Sequence, residues 1–279
     1  MRRIIEANEQ ERVLTLFNGI PYKTVDHWYG NSVRTLYIDL VVPKQPEYRR
    51  ELPVIVFFCG GAFSTMDRSL WLPTLMPYAQ AGYAIACPDY RTAPQHRFPA
   101  AVEDARAAVR FLRAHVKDYG LDPNRIAAMG ESAGGYLACM TGMEAKEYDV
   151  GDHIDQSAQV QAVVNFYGKV DFASRGQDEA CNRQCTEDFL GELASGSLAQ
   201  YGCAHYVSAN SAPMLIFHGD ADPLVPIAES EALHERLNDS GVRCDLYVMP
   251  GAGHGVDAFY QPNVRAVATA FLEEVMPRG

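Results

Sequence analysis

Six short apolar runs, spread along the chain, limit the folds that this sequence can adopt. Continuous apolar runs of this length are typical of strands that are covered on both faces. The runs are PVIVFFC (53–59), YAIACP (83–88), RIAAMG (125–130), VQAVVNFYG (160–168), PMLIFHG (213–219) and CDLYVMPG (244–251). An earlier segment, RTLYIDLVVP (34–43), instead alternates as a half-exposed strand does.

Segments with helical periodicity separate these runs. In the clearest, residues 98–120, apolar side chains recur at intervals of three and four from Val102 to Val116. Pro99 suits the first helical turn, and Gly120 ends the helix. Strands that alternate with helices predict an α/β fold with a mostly parallel sheet and helices on both faces. Ligands of such folds collect at the carboxyl ends of the strands.

The length of the chain fits one α/β domain over residues 1–279. A chain of 279 residues with 48% hydrophobic content can bury about three quarters of its unfolded surface. The polar, Gly- and Ser-rich stretch 171–212 interrupts the alternation of strands and helices. We interpret it as a cap-like insert over a site rather than as an extended loop without a role.

Charge and hydropathy exclude several classes of partner. The formal net charge of −11 argues against nucleic acid, whose binding draws on Lys and Arg. No run approaches the ~18 apolar residues of a membrane span. Charges at Glu6, Glu9 and Glu11 interrupt the N-terminal segment, which therefore does not read as a signal peptide. We expect a soluble, cytoplasmic protein.

The seven cysteines are odd in number and lie mostly inside apolar runs. This distribution predicts small buried thiols in a reducing compartment rather than a disulfide framework. Cys181 and Cys185 lie four residues apart and can share a helix face, but no further ligand follows at a zinc-like spacing. We therefore expect no metal site and no cofactor.

A serine between glycines, in the sequence Gly130-Glu131-Ser132-Ala133-Gly134, lies between a buried run and a small-residue helix. In that context G-x-S-x-G predicts a nucleophile elbow, in which a strained turn exposes the serine hydroxyl at the edge of the sheet. The glycines let strand and helix approach each other closely. An ordinary glycine-rich turn explains an isolated motif, but it explains this placement less well.

A serine nucleophile needs a histidine base and an acid that orients the histidine. Of the eight histidines, only His254 lies in a glycine-rich loop directly after the last predicted strand, from which it can reach Ser132. The segment HGDADPLVP offers Asp220 and Asp222 as the acid. We favour Asp222, which lies further out in its loop.

The oxyanion of an acyl-transfer intermediate needs N–H donors. Ala133, which follows the serine, supplies one of them. Others are expected from CGGAFS (59–64), where small residues let main-chain amides crowd a substrate oxygen. We assign Gly61 and Ala62, with Gly60 as the alternative if the register differs by one.

Five segments together resemble α/β-hydrolase esterases, in particular the hormone-sensitive-lipase-like esterases and the bacterial acetylxylan and feruloyl esterase-like group. They are CGGAF, PDYRTAPQHRFPAAVEDARAAVRFLRAH, MGESAGGYLA, HGDADPLVP and GAGHG, in the order of that family. The resemblance implies the α/β-hydrolase fold and supports the triad Ser132, Asp222 and His254. Relatives usually have histidine at the position of Cys59. Because the donors are backbone groups, we expect the oxyanion hole to survive this difference.

Five aromatic residues flank the predicted site and form a candidate wall for an acyl group or a sugar, although large side chains beside a sheet also serve simply as core. They are Phe63, Trp71, Tyr136, Tyr167 and Phe172. The insert carries no long apolar stripe, so a short acyl group such as acetyl fits better than a lipid.

The sequence therefore predicts a serine carboxylesterase that removes short acyl groups, such as acetyl groups on sugars or xylo-oligosaccharides. One alternative is an amidase, formamidase or small peptidase with the same triad. Another is a hydrolase-fold protein that binds a ligand without catalysis. The expected partner is a small-molecule or oligosaccharide ester, and the sequence leaves open whether the chain forms a homo-oligomer.

Overall fold

The computed structural model describes residues 3–6, 10–27, 30–44, 51–174, 176–177 and 179–277. Its strands are β1 (Leu14–His27), β2 (Ser32–Pro43), β3 (Leu52–Phe58), β4 (Ala84–Pro88), β5 (Leu121–Glu131), β6 (Ala162–Phe166), β7 (Met214–Gly219) and β8 (Cys244–Met249). Its helices are α1 (Leu72–Gln80), α2 (Ala100–Ala114), α3 (Val116–Tyr119), α4 (Ala133–Gly142), α5 (Glu179–Leu190), α6 (Ile227–Asp239) and α7 (Pro262–Val275).

The eight strands form one sheet in the order β1-β2-β4-β3-β5-β6-β7-β8. The first two strands pair antiparallel, as do β2 and β4, and all other neighbours are parallel. Helices α2, α4 and α6 pack on one face, and α1 and α7 on the other. The predicted α/β class, with a mostly parallel sheet covered on both faces, is confirmed, and each of the six apolar runs contributes a strand.

The sequence did not predict strand β1. Its sequence contains Asn18, Gly19 and Pro21, which are typical of turns, and most of its residues are exposed or half-buried. The pairing with β2 shifts register twice, between Phe17 and Ile20 and between Pro21 and Lys23. These irregularities break the alternation by which an edge strand is recognised in a sequence.

The long helix predicted over 98–120 is present but divided. Helix α2 ends at Ala114, and α3 follows after His115, whose φ of −107° and ψ of 21° interrupt the helical path. Gly120 then adopts the left-handed conformation, with φ of 68°, and ends the segment as predicted.

The insert 171–212 contains more regular structure than its composition suggested. Helix α5 lies within it, and three single turns of 3₁₀ helix follow, at Gly191–Ser195, Leu198–Tyr201 and Cys203–Tyr206. Phe189 is buried and stacks on Phe63 with ring centroids 3.9 Å apart. The Phe98 N–H also donates to the Phe189 carbonyl at 2.7 Å. These contacts join the insert to the segments that follow β3 and β4.

The crossing of β5 and α4 depends on glycine. A Cβ atom added at Gly134 would overlap the backbone carbonyl of Phe58 at the end of β3, and one at Gly130 would overlap the carbonyl of Gly134. Backbone atoms in a central strand cannot move aside easily, so the helix can begin here only if this position has no side chain.

We expect Gly134→Ala to lower the free energy of unfolding by about 1–3 kcal/mol, because the added methyl group overpacks a rigid contact. Urea unfolding followed by circular dichroism measures the change. Gly196→Ala is the matched control, because a Cβ there would lie 3.5 Å from its nearest neighbour, the Leu193 carbonyl oxygen. Equal stability of the two variants would show that the close approach at Gly134 does not constrain the fold.

Across the described ranges, the chain has no helix that combines the length and the apolar character needed to cross a bilayer.

Candidate active site

Ser132 lies in the sharp turn between β5 and α4. Its backbone has φ of 54° and ψ of −120°, a strained conformation for a residue other than glycine. The Ser132 N–H donates to the Phe166 carbonyl at 3.0 Å, which fixes the turn to the end of β6. The side chain is consequently presented at the carboxyl edge of the sheet, in the conformation that the G-x-S-x-G motif predicts.

His254 and Asp222 meet at this serine. The His254 Nε2 atom lies 2.9 Å from Ser132 Oγ, and its Nδ1 atom lies 2.7 Å from Asp222 Oδ2. The three residues come from the ends of different strands: His254 follows β8, Asp222 follows β7 and Ser132 follows β5. Both nitrogens of one imidazole are therefore in hydrogen-bonding distance of a hydroxyl and a carboxylate.

The Asp222 carboxylate is held by several donors. Its Oδ1 atom accepts the N–H groups of Leu224 at 2.8 Å and Val225 at 2.9 Å, and His218 Nε2 lies 3.4 Å from Oδ2. Burial by itself raises the pKa of Asp222, but the hydrogen bonds from His218, His254 and the Val225 amide outweigh it. The pKa of this carboxyl therefore lies below its usual range.

The other acid that the sequence offered lies elsewhere. Asp220 is exposed, and its carboxylate accepts the Gly251 N–H at 2.6 Å. His218, near the end of β7, is buried between Ser230 Oγ at 2.7 Å and the Val225 carbonyl at 2.9 Å. The carboxylate that the structure brings to His254 is therefore that of Asp222 rather than that of Asp220.

A cavity of about 90 Å³ opens beside Ser132 and His254. Its other lining residues are Ala62, Phe63, Ala133, Lys169, Phe172, Cys181, Asn182, Cys185, Thr186, Leu224 and Val225. Four of them lie on α5, so the insert 171–212 supplies one wall of the cavity.

Two of the three predicted oxyanion donors lie beside the serine. Ala62 and Ala133 line the cavity together with Ser132, whereas Gly61 is not among the lining residues. The loop reverses direction sharply, because Gly61, Ala62 and Phe63 all have positive φ, at 128°, 52° and 61°. The Gly60 N–H donates to the Glu131 carboxylate, so the alternative donor Gly60 is already occupied.

Glu131 and Tyr90 fix this loop, and the sequence analysis assigned a role to neither of them. Glu131 is the residue before Ser132; burial raises the pKa of its carboxyl, although the Gly60 N–H opposes the shift. The Tyr90 hydroxyl donates to the Cys59 carbonyl at 2.6 Å. Burial also raises the pKa of the Cys59 thiol to about 11. The loop is thus anchored at both Cys59 and Gly60 without the histidine that is usual in relatives.

The five aromatic residues separate into two groups. Phe63 and Phe172 line the cavity. The other three lie outside its lining. Trp71 packs against Tyr260, with ring centroids 4.5 Å apart, on the face of the sheet that α1 and α7 cover, and Tyr136 is buried beneath Phe63 at 5.5 Å. The Tyr167 ring packs on His254 at 4.8 Å. These three therefore support the site rather than form the wall that we expected.

The cysteine pair of α5 faces the cavity. The Sγ atoms of Cys181 and Cys185 lie 3.9 Å apart, on the shared helix face that their spacing allows. Within the described part of the chain, no group of three or more His, Cys, Asp or Glu side chains is arranged to hold a metal ion.

Comparisons with known proteins agree with this architecture. The BD-FAE family model matches residues 38–237. Esterase LipC of Mycobacterium tuberculosis (strain ATCC 25618 / H37Rv) is 31% identical over 269 residues, a match that covers 88% of this chain and 66% of LipC. The chain spans between 56 and 66% of the lengths of the first curated relatives that it matches.

Two solved structures are similar over nearly the whole chain. Thermogutta terrifontis esterase 2 phosphonylated by sarin has a TM-score of 0.80 and 26% identity, covering 93% of this chain and 95% of that one. A truncated carbohydrate esterase from gut microbiota has a TM-score of 0.79 at 22% identity, covering 97% and 99%. The similarity to the carbohydrate esterase concerns the fold alone. The chain therefore has the α/β-hydrolase fold and belongs to the BD-FAE family.

Proposed function

We propose that this protein is a serine carboxylesterase that uses Ser132, His254 and Asp222 as its catalytic triad. The observation that carries the proposal is the unbroken chain of contacts from Ser132 Oγ to His254 at 2.9 Å and from His254 to Asp222 at 2.7 Å. The esterase names of LipC and of the Thermogutta terrifontis protein support the same class of reaction.

In the proposed first step, Ser132 Oγ attacks the ester carbonyl while His254 Nε2 takes the hydroxyl proton. Asp222 stabilises the imidazolium that forms, because its carboxylate faces Nδ1. The negative charge on the former carbonyl oxygen is met by backbone N–H groups of Ala133 and of the loop at Gly61 and Ala62.

In the remaining steps His254 acts first as an acid and then again as a base. His254 gives its proton to the departing alcohol, which leaves an acyl group bonded to Ser132. A water molecule then loses a proton to His254 and attacks the acyl carbonyl. The bond between the acyl carbon and Ser132 Oγ then breaks, the carboxylic acid leaves, and His254 returns its proton to Oγ.

We propose acetyl and other short acyl groups on sugars or xylo-oligosaccharides as the substrates. The small volume of the cavity, about 90 Å³, favours a short acyl group, and Phe63 and Phe172 give it an apolar wall. Measurement of acetate release from acetylated xylo-oligosaccharides and mannan fragments, with ferulate release from feruloyl esters as comparison, tests this assignment.

We expect the enzyme to hydrolyse p-nitrophenyl acetate with kcat in the ordinary range of about 1–10³ s⁻¹. The matching amide, p-nitroacetanilide, should show no detectable turnover, because amide hydrolysis also requires protonation of a poor leaving group. Parallel absorbance assays at the same enzyme concentration measure both rates. Amide hydrolysis as fast as ester hydrolysis would favour the amidase alternative instead.

A further inference from the structure

A buried lysine stands in the wall of the cavity that holds Ser132. Lys169 lies three residues after the end of β6 and is only 8% exposed, yet it lines the cavity together with Ser132 and His254. Its backbone N–H donates to the Ser132 carbonyl at 3.3 Å, which ties the lysine to the serine turn. Buried lysines are rare unless they are paired, so this side chain needs an explanation.

Glu229 of α6 balances the charge of Lys169. The Lys169 Nζ atom lies 2.7 Å from Glu229 Oε1. Glu229 also accepts the Ser174 hydroxyl and the N–H groups of Val170 and Asp171, each at 2.8 Å. This carboxylate therefore receives four donors, which fill its acceptor sites. Three uncharged donors from the segment after β6 hold it, so anchoring that segment does not depend on the lysine alone.

The ammonium group itself is incompletely satisfied. An ammonium has three N–H donors, and Lys169 uses one on Glu229 and a second on the Ser174 carbonyl at 3.1 Å. Within the part of the chain that the structure describes, the third N–H makes no hydrogen bond. A buried donor without an acceptor costs free energy that a bound oxygen atom would recover.

The surroundings of Lys169 favour an uncharged oxygen over a carboxylate. The lysine is already neutralised by Glu229, and the Asp222 carboxylate lies 2.7 Å from Nδ1 of His254, which lines the cavity. An anionic group in the cavity would thus be opposed by two nearby carboxylates for one cation. A hydroxyl, ether or carbonyl oxygen accepts the third N–H without that repulsion, while Phe63 and Phe172 contact its carbon skeleton.

We propose that Lys169 is a specificity-determining residue whose third N–H binds an uncharged oxygen of the substrate. This inference rests on the proposed esterase function. It narrows the substrates to esters that carry a hydroxyl, ether or carbonyl oxygen near the scissile bond, as polyol and sugar esters do.

Two pairs of esters test the proposal, each differing only by an ether oxygen in place of a methylene group. On the acyl side the pair is p-nitrophenyl methoxyacetate and p-nitrophenyl butyrate. On the alcohol side it is 2-methoxyethyl acetate and butyl acetate. The measured quantity is the ratio of kcat/KM for the oxygen ester to that for its partner. Comparing this ratio between variants cancels the difference in intrinsic reactivity.

In Lys169→Met, we expect this ratio to fall by about tenfold on the side of the ester that contacts the lysine, because a hydrogen bond from a charged donor is lost. The single variant leaves Glu229 without its cation, so Lys169→Met/Glu229→Gln provides a second form that lacks both charges. Lys146→Met, at a lysine whose side chain is 76% exposed, is the control and should keep both ratios.

Ratios that stay within about twofold on both sides of the ester, in folded variants, would overturn the proposal. A loss of kcat/KM confined to p-nitrophenyl hemisuccinate, whose acyl group ends in a carboxylate, would also overturn it. That result would make the ligand of Lys169 a carboxylate. Failure of the esterase proposal looks different. In that case the unmodified protein hydrolyses none of these esters, or Ser132→Ala hydrolyses them equally well.

Discussion

Ser132→Ala is expected to lower kcat for p-nitrophenyl acetate by about 10⁶-fold, because the variant lacks the atom that attacks the carbonyl. The backbone donors at Ala133 and at the Gly61–Ala62 loop remain, so a residual rate about 10³–10⁴-fold above the reaction in water should persist. Stopped assays with a large amount of enzyme measure the residual rate of the variant. A blank without protein measures the rate of the reaction in water.

Ser240→Ala is the control for the serine substitution. Its hydroxyl is exposed and donates to the Arg236 carbonyl at 2.9 Å, at the end of α6. We expect unchanged kcat for this variant. A fluorophosphonate probe should label the unmodified protein and Ser240→Ala but not Ser132→Ala. Hydrolysis by Ser132→Ala at the parental rate would refute the nucleophile assignment, and absence of labelling in every form would favour the non-catalytic alternative.

Asp222→Asn is expected to lower kcat by about 10⁴-fold, because it reverses the proton arrangement on His254. The asparagine oxygen should stay with the N–H groups of Leu224 and Val225, which now bind Oδ1. Its NH₂ group then faces His254 Nδ1 and donates to it. The ring proton must consequently reside on Nε2, where it prevents the imidazole from accepting the proton of Ser132.

Asp220→Asn is a matched control for this charge removal, two residues away in the same loop. Its carboxylate accepts the Gly251 N–H and contacts no imidazole. We expect kcat within about threefold of the parental value, as for surface substitutions away from special features. Steady-state kinetics on p-nitrophenyl acetate compares the two variants. A larger loss in Asp220→Asn than in Asp222→Asn would reverse the assignment of the acid.

Much of the fold could be predicted because the strands that form the centre of the sheet are buried on both faces. Continuous apolar runs such as 53–59 and 213–219 leave few other structures open to them. The placement of Ser132 followed for the same reason, since a glycine-flanked serine after such a run has one structural context. Strand β1 lies at an edge, where partial exposure weakens the hydrophobic pattern that reveals a strand.

The walls of the site were less predictable because they depend on which way side chains point after long-range packing. Tyr136 lies four residues after Ser132, yet α4 turns its ring into the core, where its hydroxyl donates to the Tyr201 carbonyl at 2.8 Å. Lys169 reads in the sequence as an ordinary charged residue after a strand. Only the fold shows that Glu229, sixty residues further on, makes its burial possible.

The position of β8 at the end of the sheet has a consequence for how function and folding are related. His254 follows this outermost strand, and Tyr247 and Val248 on it are 47% and 45% exposed. Outer strands detach at lower free energy than central ones. Local detachment of β8 would move the His254 imidazole away from Ser132 while the middle of the sheet stays intact. Turnover therefore reports on the attachment of this one strand rather than on the folding of the whole chain.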